Sequence, residues 1–152
     1  MKEILLAFFL LFFTYTLPAQ DVSSEEEKAI KQLVQDAFDD VFSNLDSTKI
    51  TKHLTDDFLL LEHGEVWNNK TIKNYIIEAH KAEKRPTRTN SFEFIRFVKS
   101  KKSIWAAYHN YAKISMNNEV IADLEWLESI VAIKTKEGWK LQMMHSTRVK
   151  RD

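Results

Sequence analysis

The sequence has 152 residues, no cysteine, and 22 basic against 22 acidic side chains, and its length suits a single domain. A formal charge of zero removes the electrostatic basis for binding nucleic acid or an anionic membrane surface. Without cysteine the chain can form no disulfide, no thiol nucleophile and no thiolate metal site.

The first segment, residues 1–20, reads MKEILLAFFLLFFTYTLPAQ and differs in composition from everything after it. Its unbroken apolar run at 4–13 is shorter than the roughly twenty apolar residues that a membrane-spanning helix needs. The pattern predicts a secretory signal peptide, whose removal leaves a secreted or periplasmic domain at 21–152 without further membrane contact. Leu17 stands where a small residue usually precedes the cleavage site, so an uncleaved membrane anchor is the alternative.

The stretch SSEEEKAIKQLVQDAFDDVFSNLD predicts one long amphipathic helix. Ser23 with Glu26, or Ser24 with Glu27, gives a capping box at its start. The apolar residues recur at steps of three and four: Ile30, Leu33, Val34, Ala37, Phe38, Val41, Phe42 and Leu45. This spacing places them on one face, which we expect to be buried.

Three shorter elements are predicted next in the chain. They are a short helix begun by Asp46 or Ser47, a strand ending at Gly64, and a helix capped by Asn68 or Asn69. Pro86 stops the last of these helices, because the residue before a proline disfavours helical backbone.

After Pro86 the hydrophobic period changes from helical spacing to two. TNSFEFIRFVKS, SIWAAYHNYAKISM, EVIADLEWLESIVAIKTK and GWKLQMMHSTRVK are β-rich runs, joined by the short turns KSKK, MNN and KEG. Short turns make neighbouring strands antiparallel. The order predicts an α+β fold, in which three N-terminal helices cover one face of a strongly bent antiparallel sheet.

This order of elements resembles the nuclear transport factor 2-like superfamily, the cone-shaped fold of SnoaL-like polyketide cyclases and ketosteroid isomerases. The resemblance covers about residues 23–149. Its most specific segments are LTDDFLLLEHGEVW at 54–67 and WLESIVAIKTKEGWKLQMMHST at 126–147. It implies a pocket between the concave sheet and the helices, and often a homodimer formed on the outer face of the sheet.

The resemblance does not imply one activity, because members of the superfamily include isomerases, cyclases, binding modules and assembly domains. We expect an exported protein that binds a small, largely apolar molecule carrying a polar group. Two alternatives remain: a SnoaL-like lyase, isomerase or cyclase, and a dimeric assembly module without a ligand.

Strand alternation selects the side chains that could share the pocket. In the last strand it places Trp139, Leu141, Met143, His145 and Thr147 on the apolar, inward face. In the strand before it, Trp126 and Glu128 share a face that we take as inward, although both faces are partly apolar. Tyr108 and Asn110 share a face of the strand that contains them, and His63 and Trp67 lie near the mouth.

The chemical hypothesis is an acid/base pair in which Glu128 orients His145, while Tyr108 and Asn110 donate to a substrate oxygen. The structural alternative is that Glu128 and His145 only satisfy each other. Trp126, Met143, Thr147, His63 and Trp67 complete the expected ligand-binding set. No metal or cofactor is expected, because the histidines lack ligand spacing and two glycines cannot form a phosphate-binding loop.

Overall fold

The structure is a computed structural model that describes residues 21–150. The predicted signal peptide at 1–20 lies outside the described residues. The helices are α1 (Ser24–Ala37), α2 (Ile50–His53) and α3 (Asn69–Ala79). The strands are β1 (Leu54–Glu62), β2 (Glu65–Asn68), β3 (Thr87–Ser100), β4 (Ser103–Met116), β5 (Glu119–Thr135) and β6 (Gly138–Arg148). Between residues 21 and 150, no helix is long and apolar enough to cross a membrane.

The first helix begins at the predicted capping box, in which Ser23 and Glu26 exchange hydrogen bonds. Its C-terminal continuation is a π-helical segment, Phe38–Ser43. After it, the backbone N–H of Asn44 donates to the backbone carbonyl of Asp39 at 2.9 Å. A π-helical turn contains an extra residue, so the apolar stripe shifts around the helix at this point. Both phenylalanines of the segment pack against the core.

The strand predicted to end at Gly64 is β1, which ends at Glu62, and an additional strand, β2, follows the turn and forms a hairpin with it. β1 and β2 pair antiparallel and are joined by His63 and Gly64, whose φ angles are 53° and 80°. Two positive φ angles in a two-residue loop give the turn whose twist matches that of the flanking strands. Gly64 therefore reverses the chain, and glycine adopts the required backbone conformation without steric cost.

The C-terminal half forms the predicted meander from β3 to β6. All six strands belong to one curved, open sheet in the order β2-β1-β6-β5-β4-β3. The α+β class is confirmed, with one difference: the sheet is mixed, because β1 runs parallel to β6. These two strands are far apart in the chain, so no short turn forces them to be antiparallel.

The sheet has an inner face, which packs against the helices, and an outer face, whose side chains are mostly half-buried or exposed. Alternation is clearest in β4, where every second residue is buried: Ile104, Ala106, Tyr108, Asn110 and Ala112. Ile30, Val34 and Ala37 of α1 complete the core against this face. The interior of the cone is therefore the space between α1, the π-helical segment and the inner face.

Candidate functional site

Four polar side chains meet on the inner face, where β4, β5 and β6 run side by side. Glu128 of β5 is only 4% exposed, and strand register places Tyr108 and Ser146 directly opposite it on the two neighbouring strands. Ser146 Oγ donates to a Glu128 carboxyl oxygen at 2.9 Å, and Asn110 Nδ2 lies 3.4 Å from both oxygens. A buried carboxyl is thus held by neutral donors, the hydroxyl at close range and the amide more distantly.

Burial raises the pKa of Glu128 from 4.5 to about 7, because the ionised form loses its hydration. Hydrogen bonds from Ser146 and Asn110, the nearby Tyr108 hydroxyl and the charge of Arg88 oppose this shift without cancelling it. The carboxyl is therefore divided between its acid and anionic forms near neutral pH. In this state it can donate or accept a proton.

Several buried polar atoms at this cluster have no hydrogen-bond partner. Within the described chain, Tyr108 Oη, Asn110 Oδ1 and Trp126 Nε1 are three of the four such atoms. Burial raises the pKa of Tyr108 well above its usual value, and the neighbouring Glu128 adds to the shift, although the two groups do not reach good hydrogen-bond geometry. Unsatisfied buried polar atoms are uncommon in folded proteins, so their concentration here needs an explanation.

A guanidinium group faces the same region from β3. Arg88 lies 4.9 Å from the centre of the Trp126 ring and 5.7 Å from that of Phe38. Burial lowers the pKa of Arg88, while the charges of Glu128 and Glu62 act in the opposite direction. A guanidinium remains charged at neutral pH in spite of such a shift, so the site contains a half-buried positive charge.

The orientation of Arg88 is fixed through its own strand. Its Nε donates to Asn90 Oδ1 at 2.9 Å, and Asn90 Nδ2 donates in turn to Ser43 Oγ at 2.9 Å. Asn90 is buried, and Ser43 ends the π-helical segment. The guanidinium is therefore anchored to a helix as well as to the sheet.

A small cavity of about 40 Å³ separates these groups. Its lining residues come from the π-helical segment and from four strands: Phe38, Phe42, Leu60, Glu62, Arg88, Trp126, Glu128, Met144 and Ser146. Pockets for drug-sized ligands usually have about 300–1,000 Å³. A wider surface groove of about 570 Å³ runs between α1 and β3, but polar and charged helix residues form most of its lining.

The wide apolar pocket implied by the resemblance is not present in the described part of the chain. Aromatic rings fill the cone instead: Phe92 lies 5.0 Å from Phe38 and 5.5 Å from Tyr108, measured between ring centres. Phe94 lies 5.0 Å from the Tyr108 ring on the other side. What remains open is the polar-ended cavity beside Glu128.

The expected pair of Glu128 and His145 is wrong, because His145 is exposed on the outer face. The cause is a β-bulge in β6: Met143 pairs with Val131 and Leu141 with Ala132, so one extra residue lies between them. An extra residue reverses the alternation beyond it. Ser146 therefore points inward, whereas uninterrupted alternation would place His145 there.

The same bulge removes two other expected ligand-binding residues from the cone. Met143 and Thr147 share the outward side with His145, and Thr147 is exposed. Leu141 and Met144 are the buried residues on either side of the bulge. Only the part of β6 before the bulge follows the predicted pattern.

The two residues expected at the mouth do not line the cavity. The side chain of His63 is 61% exposed in the β1–β2 turn, 3.5 Å from the Glu62 carboxylate. Trp67 donates from Nε1 to Glu65 at 2.8 Å and packs on the Tyr75 ring, 5.5 Å away. Both belong to the rim formed by β2 and α3.

The other expected residues do come together on the inner face. Tyr108, Asn110, Trp126 and Glu128 are all buried there, as alternation in β4 and β5 predicts. Sequence reasoning missed Arg88, although it occupies an alternate position with Asn90 and Phe92 in β3 and so breaks an inward series with a charge. No sequence signal identifies Ser146, because its orientation depends on the bulge.

The outer face carries an apolar row that crosses five strands. Strand pairing aligns its members from β3 to β1: Val98, Trp105, Val131, Met143 and Leu59. Trp105 is 37% exposed and Leu59 41% exposed. We call these five residues the outer row. Small side chains, Ala107 and Ser129, pair beside it, so the surface is shallow at its centre.

Among residues 21–150, no three histidine, aspartate or glutamate side chains lie close enough together to hold a metal ion. Away from the cone, the buried His53 pairs with Asp40. Its Nε2 lies 2.7 Å from the Asp40 carboxylate. The hydrogen bond to His53 lowers the pKa of Asp40. This pair joins α2 to the π-helical segment and has a structural role.

No protein-family profile matches the sequence, and a search of curated proteins finds no significant similarity. Solved structures are similar in fold. A ketosteroid isomerase-like protein from Erwinia carotovora atroseptica has a TM-score of 0.62 and 14% identity, covering 85% of this chain and 100% of that one. An NTF2-like protein from Cytophaga hutchinsonii has a TM-score of 0.62 and 12% identity, covering 82% and 98%.

A third similar structure is the CamKII hub homology domain of Chlamydamonas reinhardtii, with a TM-score of 0.68 and 14% identity, covering 82% of this chain and 98% of that one. Identities this low relate folds and not activities. The helices, the curved mixed sheet and these structural neighbours agree with one another, and this chain therefore has the nuclear transport factor 2-like fold.

Proposed function

We propose that the protein binds a small polar molecule in the cavity between Arg88 and Glu128. The observation that supports this most directly is that the two opposite charges face one cavity without forming an ion pair with each other. Each acts on the pKa of the other, so they are close, yet no bond within 4.0 Å joins them. Groups held apart in this way lack the close attraction that offsets the desolvation of a buried ion pair.

The unsatisfied atoms support the same proposal. Trp126 Nε1 lacks an acceptor among the described residues, and Trp126 lines the cavity. Leaving a buried donor unpaired costs about 1–3 kcal/mol, which a bound polar molecule could offset. The cone is consequently a small polar site, and acid/base chemistry there would depend on Glu128 without His145.

The test is a titration of the full-length protein with small probes, followed by two-dimensional NMR of ¹⁵N-labelled material. Acetate, acetamide and methylammonium cover a negative, a neutral and a positive polar group. Saturable shifts of the Trp126 indole signal, assigned with a Trp126→Phe variant, are expected for at least one probe. Arg88→Gln should weaken this binding, whereas Arg96→Gln, an exposed arginine on the same strand, should not. If no probe shifts the signal, the proposal fails.

A second function, self-assembly as a homodimer, is favoured by the outer row. Five apolar side chains form a continuous surface across the sheet, and a two-fold interface uses one patch on both copies. The similar fold of a hub homology domain supports this proposal. Light scattering after gel filtration tests it, and a monomer at tens of micromolar would contradict it.

Export remains part of the proposal as well. The apolar run at 4–13 and the change in composition after 1–20 support a cleaved signal peptide. Mass spectrometry of the protein recovered from the culture medium or the periplasm should give a chain that begins near Gln20 or Asp21. An intact N-terminus in the membrane fraction would support the anchor instead.

A further inference from the structure

We infer that the molecule bound in this cavity is a small organic acid, whose carboxylate lies between the guanidinium of Arg88 and the carboxyl of Glu128. The inference rests on the proposed function and adds the chemical class of the ligand. It follows from the donors that the described residues leave free, from the protonation that the site permits and from the size of the cavity.

Arg88 has unused hydrogen-bond donors. A guanidinium has five N–H donors, and in the described chain only Nε has a partner, Asn90. Arg88 Cζ lies over the Trp126 ring at 4.9 Å from its centre, and the terminal nitrogens at the edge of the group have no hydrogen-bond partner among the described residues. The edge of a guanidinium matches the two oxygens of a carboxylate, with two parallel hydrogen bonds.

The protonation state of Glu128 decides whether it repels or binds a carboxylate. An ionised Glu128 would repel a bound carboxylate, but its acid form can donate a hydrogen bond to one. Burial raises the pKa of Glu128 to about 7, so the acid form is available at neutral pH. The Ser146 hydroxyl already donates its proton to Glu128, so the acid form of Glu128 is the carboxyl-side donor left for the ligand.

Charged and titratable groups from several elements surround Glu128 and Arg88. Those that act on it or on Arg88 are Tyr108 from β4, Arg88 from β3, Glu62 from β1, Arg148 from β6 and Tyr75 from α3. The π-helical segment contributes only Phe38 and Phe42 to the lining. Arg88 and Arg148 carry two positive charges and Glu62 carries one negative charge. The site therefore has a net positive charge when Glu128 is protonated, which favours an anion.

The volume of the cavity limits the size of the acid. A buried water occupies about 10–15 Å³ on the same probe-based scale, so a cavity of about 40 Å³ admits about three such volumes. That is enough for a carboxylate on a short carbon chain and too little for a polycyclic compound. The lining also includes the apolar side chains of Phe38, Phe42, Leu60 and Met144, which suit the carbon part of the acid.

Binding should therefore depend on pH in a defined direction. Acetate stays ionised throughout the neutral range, so its binding requires the acid form of Glu128. As pH rises above about 7, the fraction of this form falls about tenfold for each pH unit, and the dissociation constant should rise in proportion. Between about pH 8 and pH 9, acetate affinity should fall about tenfold.

The experiment titrates the full-length protein with sodium acetate and with acetamide, its neutral counterpart, at constant ionic strength. The Trp126 indole signal is followed by NMR. We expect acetate to bind more tightly than acetamide and to show the stated loss of affinity at high pH. Acetamide binding that equals or exceeds acetate binding would overturn the inference and leave the proposed function intact. Failure of acetate and acetamide with binding of methylammonium would overturn the inference alone, and failure of all three probes would overturn the two together.

Two variants separate binding from folding. Glu128→Gln keeps a neutral hydrogen-bond donor at the same place, so acetate should still bind, with affinity that no longer changes across the neutral range. Arg88→Gln should lower acetate affinity at least about tenfold, while Arg96→Gln on the exposed side of β3 should leave it unchanged. Pronounced pH dependence that persists in Glu128→Gln would contradict the assigned role of Glu128.

Discussion

Each face of the curved sheet contains an exception to the distribution of side chains usual for a small domain. The inner face, which should be apolar, carries the buried Glu128, Asn110 and Ser146 around a cavity. The outer face carries the outer row, an apolar surface that remains partly exposed. A polar interior has to be satisfied from within, and an exposed apolar surface is best covered from outside.

The comparison indicates that the two faces meet different kinds of partner. A cavity of about 40 Å³ can satisfy only a small molecule, whereas a row across five strands fits a protein surface. Stability should depend on the packing of the inner face, and assembly should depend on the outer one. Substitutions on each face can therefore test the division separately.

The largest effect is expected from removal of the Tyr108 side chain. Its ring is fully buried between Phe92 and Phe94, so Tyr108→Ala should lower the free energy of unfolding by about 3–5 kcal/mol. Val120→Ala, at an exposed position of β5, is the control and should change it by less than about 0.5 kcal/mol. Urea unfolding of both variants measures the difference, and equal values would contradict a packed inner face.

The next effect concerns the pH dependence of stability. The folded-state pKa of Glu128, about 7, lies above the usual value of 4.5, so the folded chain retains a proton that the unfolded chain releases. The free energy of unfolding should therefore fall as pH rises from 4.5 towards 7, by up to about 3 kcal/mol from this group.

The measurement compares urea unfolding of the wild type and Glu128→Gln at several pH values. The contributions of other groups, including Asp40, whose pKa is lowered in the folded state, cancel in the difference between the two proteins. Stability of the variant relative to the wild type should increase over this pH range. Parallel curves would show that Glu128 ionises in the folded state as it does in the unfolded one.

A smaller effect is expected on the outer face. Trp105→Lys places a charge in the middle of the outer row and should weaken the proposed homodimer by about 2 kcal/mol or more, about a thirtyfold rise in its dissociation constant. Ile77→Lys, at an exposed apolar position on α3, is the matched control. Sedimentation equilibrium distinguishes them, and an unchanged dimer in Trp105→Lys would exclude the outer row as the interface.

Much of the fold could be predicted from the sequence because local signals agree with the final structure. The Ser23–Glu26 capping box and the period-two meander both appear where the pattern indicates. The second strand of the β1–β2 hairpin was missed because it has only four residues after the turn at His63 and Gly64, too few to show a clear period of two. A turn of this kind depends on backbone angles, which composition indicates weakly.

The site was predicted only where strand alternation is uninterrupted. In β4 and β5 the inward positions of Tyr108, Asn110 and Glu128 follow directly from the period of two. In β6 the bulge reverses the alternation, so Ser146 points inward and His145 points outward. A bulge is set by pairing with the neighbouring strand, so a single strand's sequence does not reveal it.

The smallest effect, and the one that separates the two faces most directly, is expected from His145→Ala. Because His145 is exposed on the outer side of β6, its removal should change the free energy of unfolding of the monomer by less than about 0.5 kcal/mol. Ser146→Ala, which removes a donor to Glu128, should steepen the loss of stability towards pH 7 and above. A large loss of stability in His145→Ala, together with an unchanged pH profile in Ser146→Ala, would place the histidine beside the carboxyl and contradict the bulge.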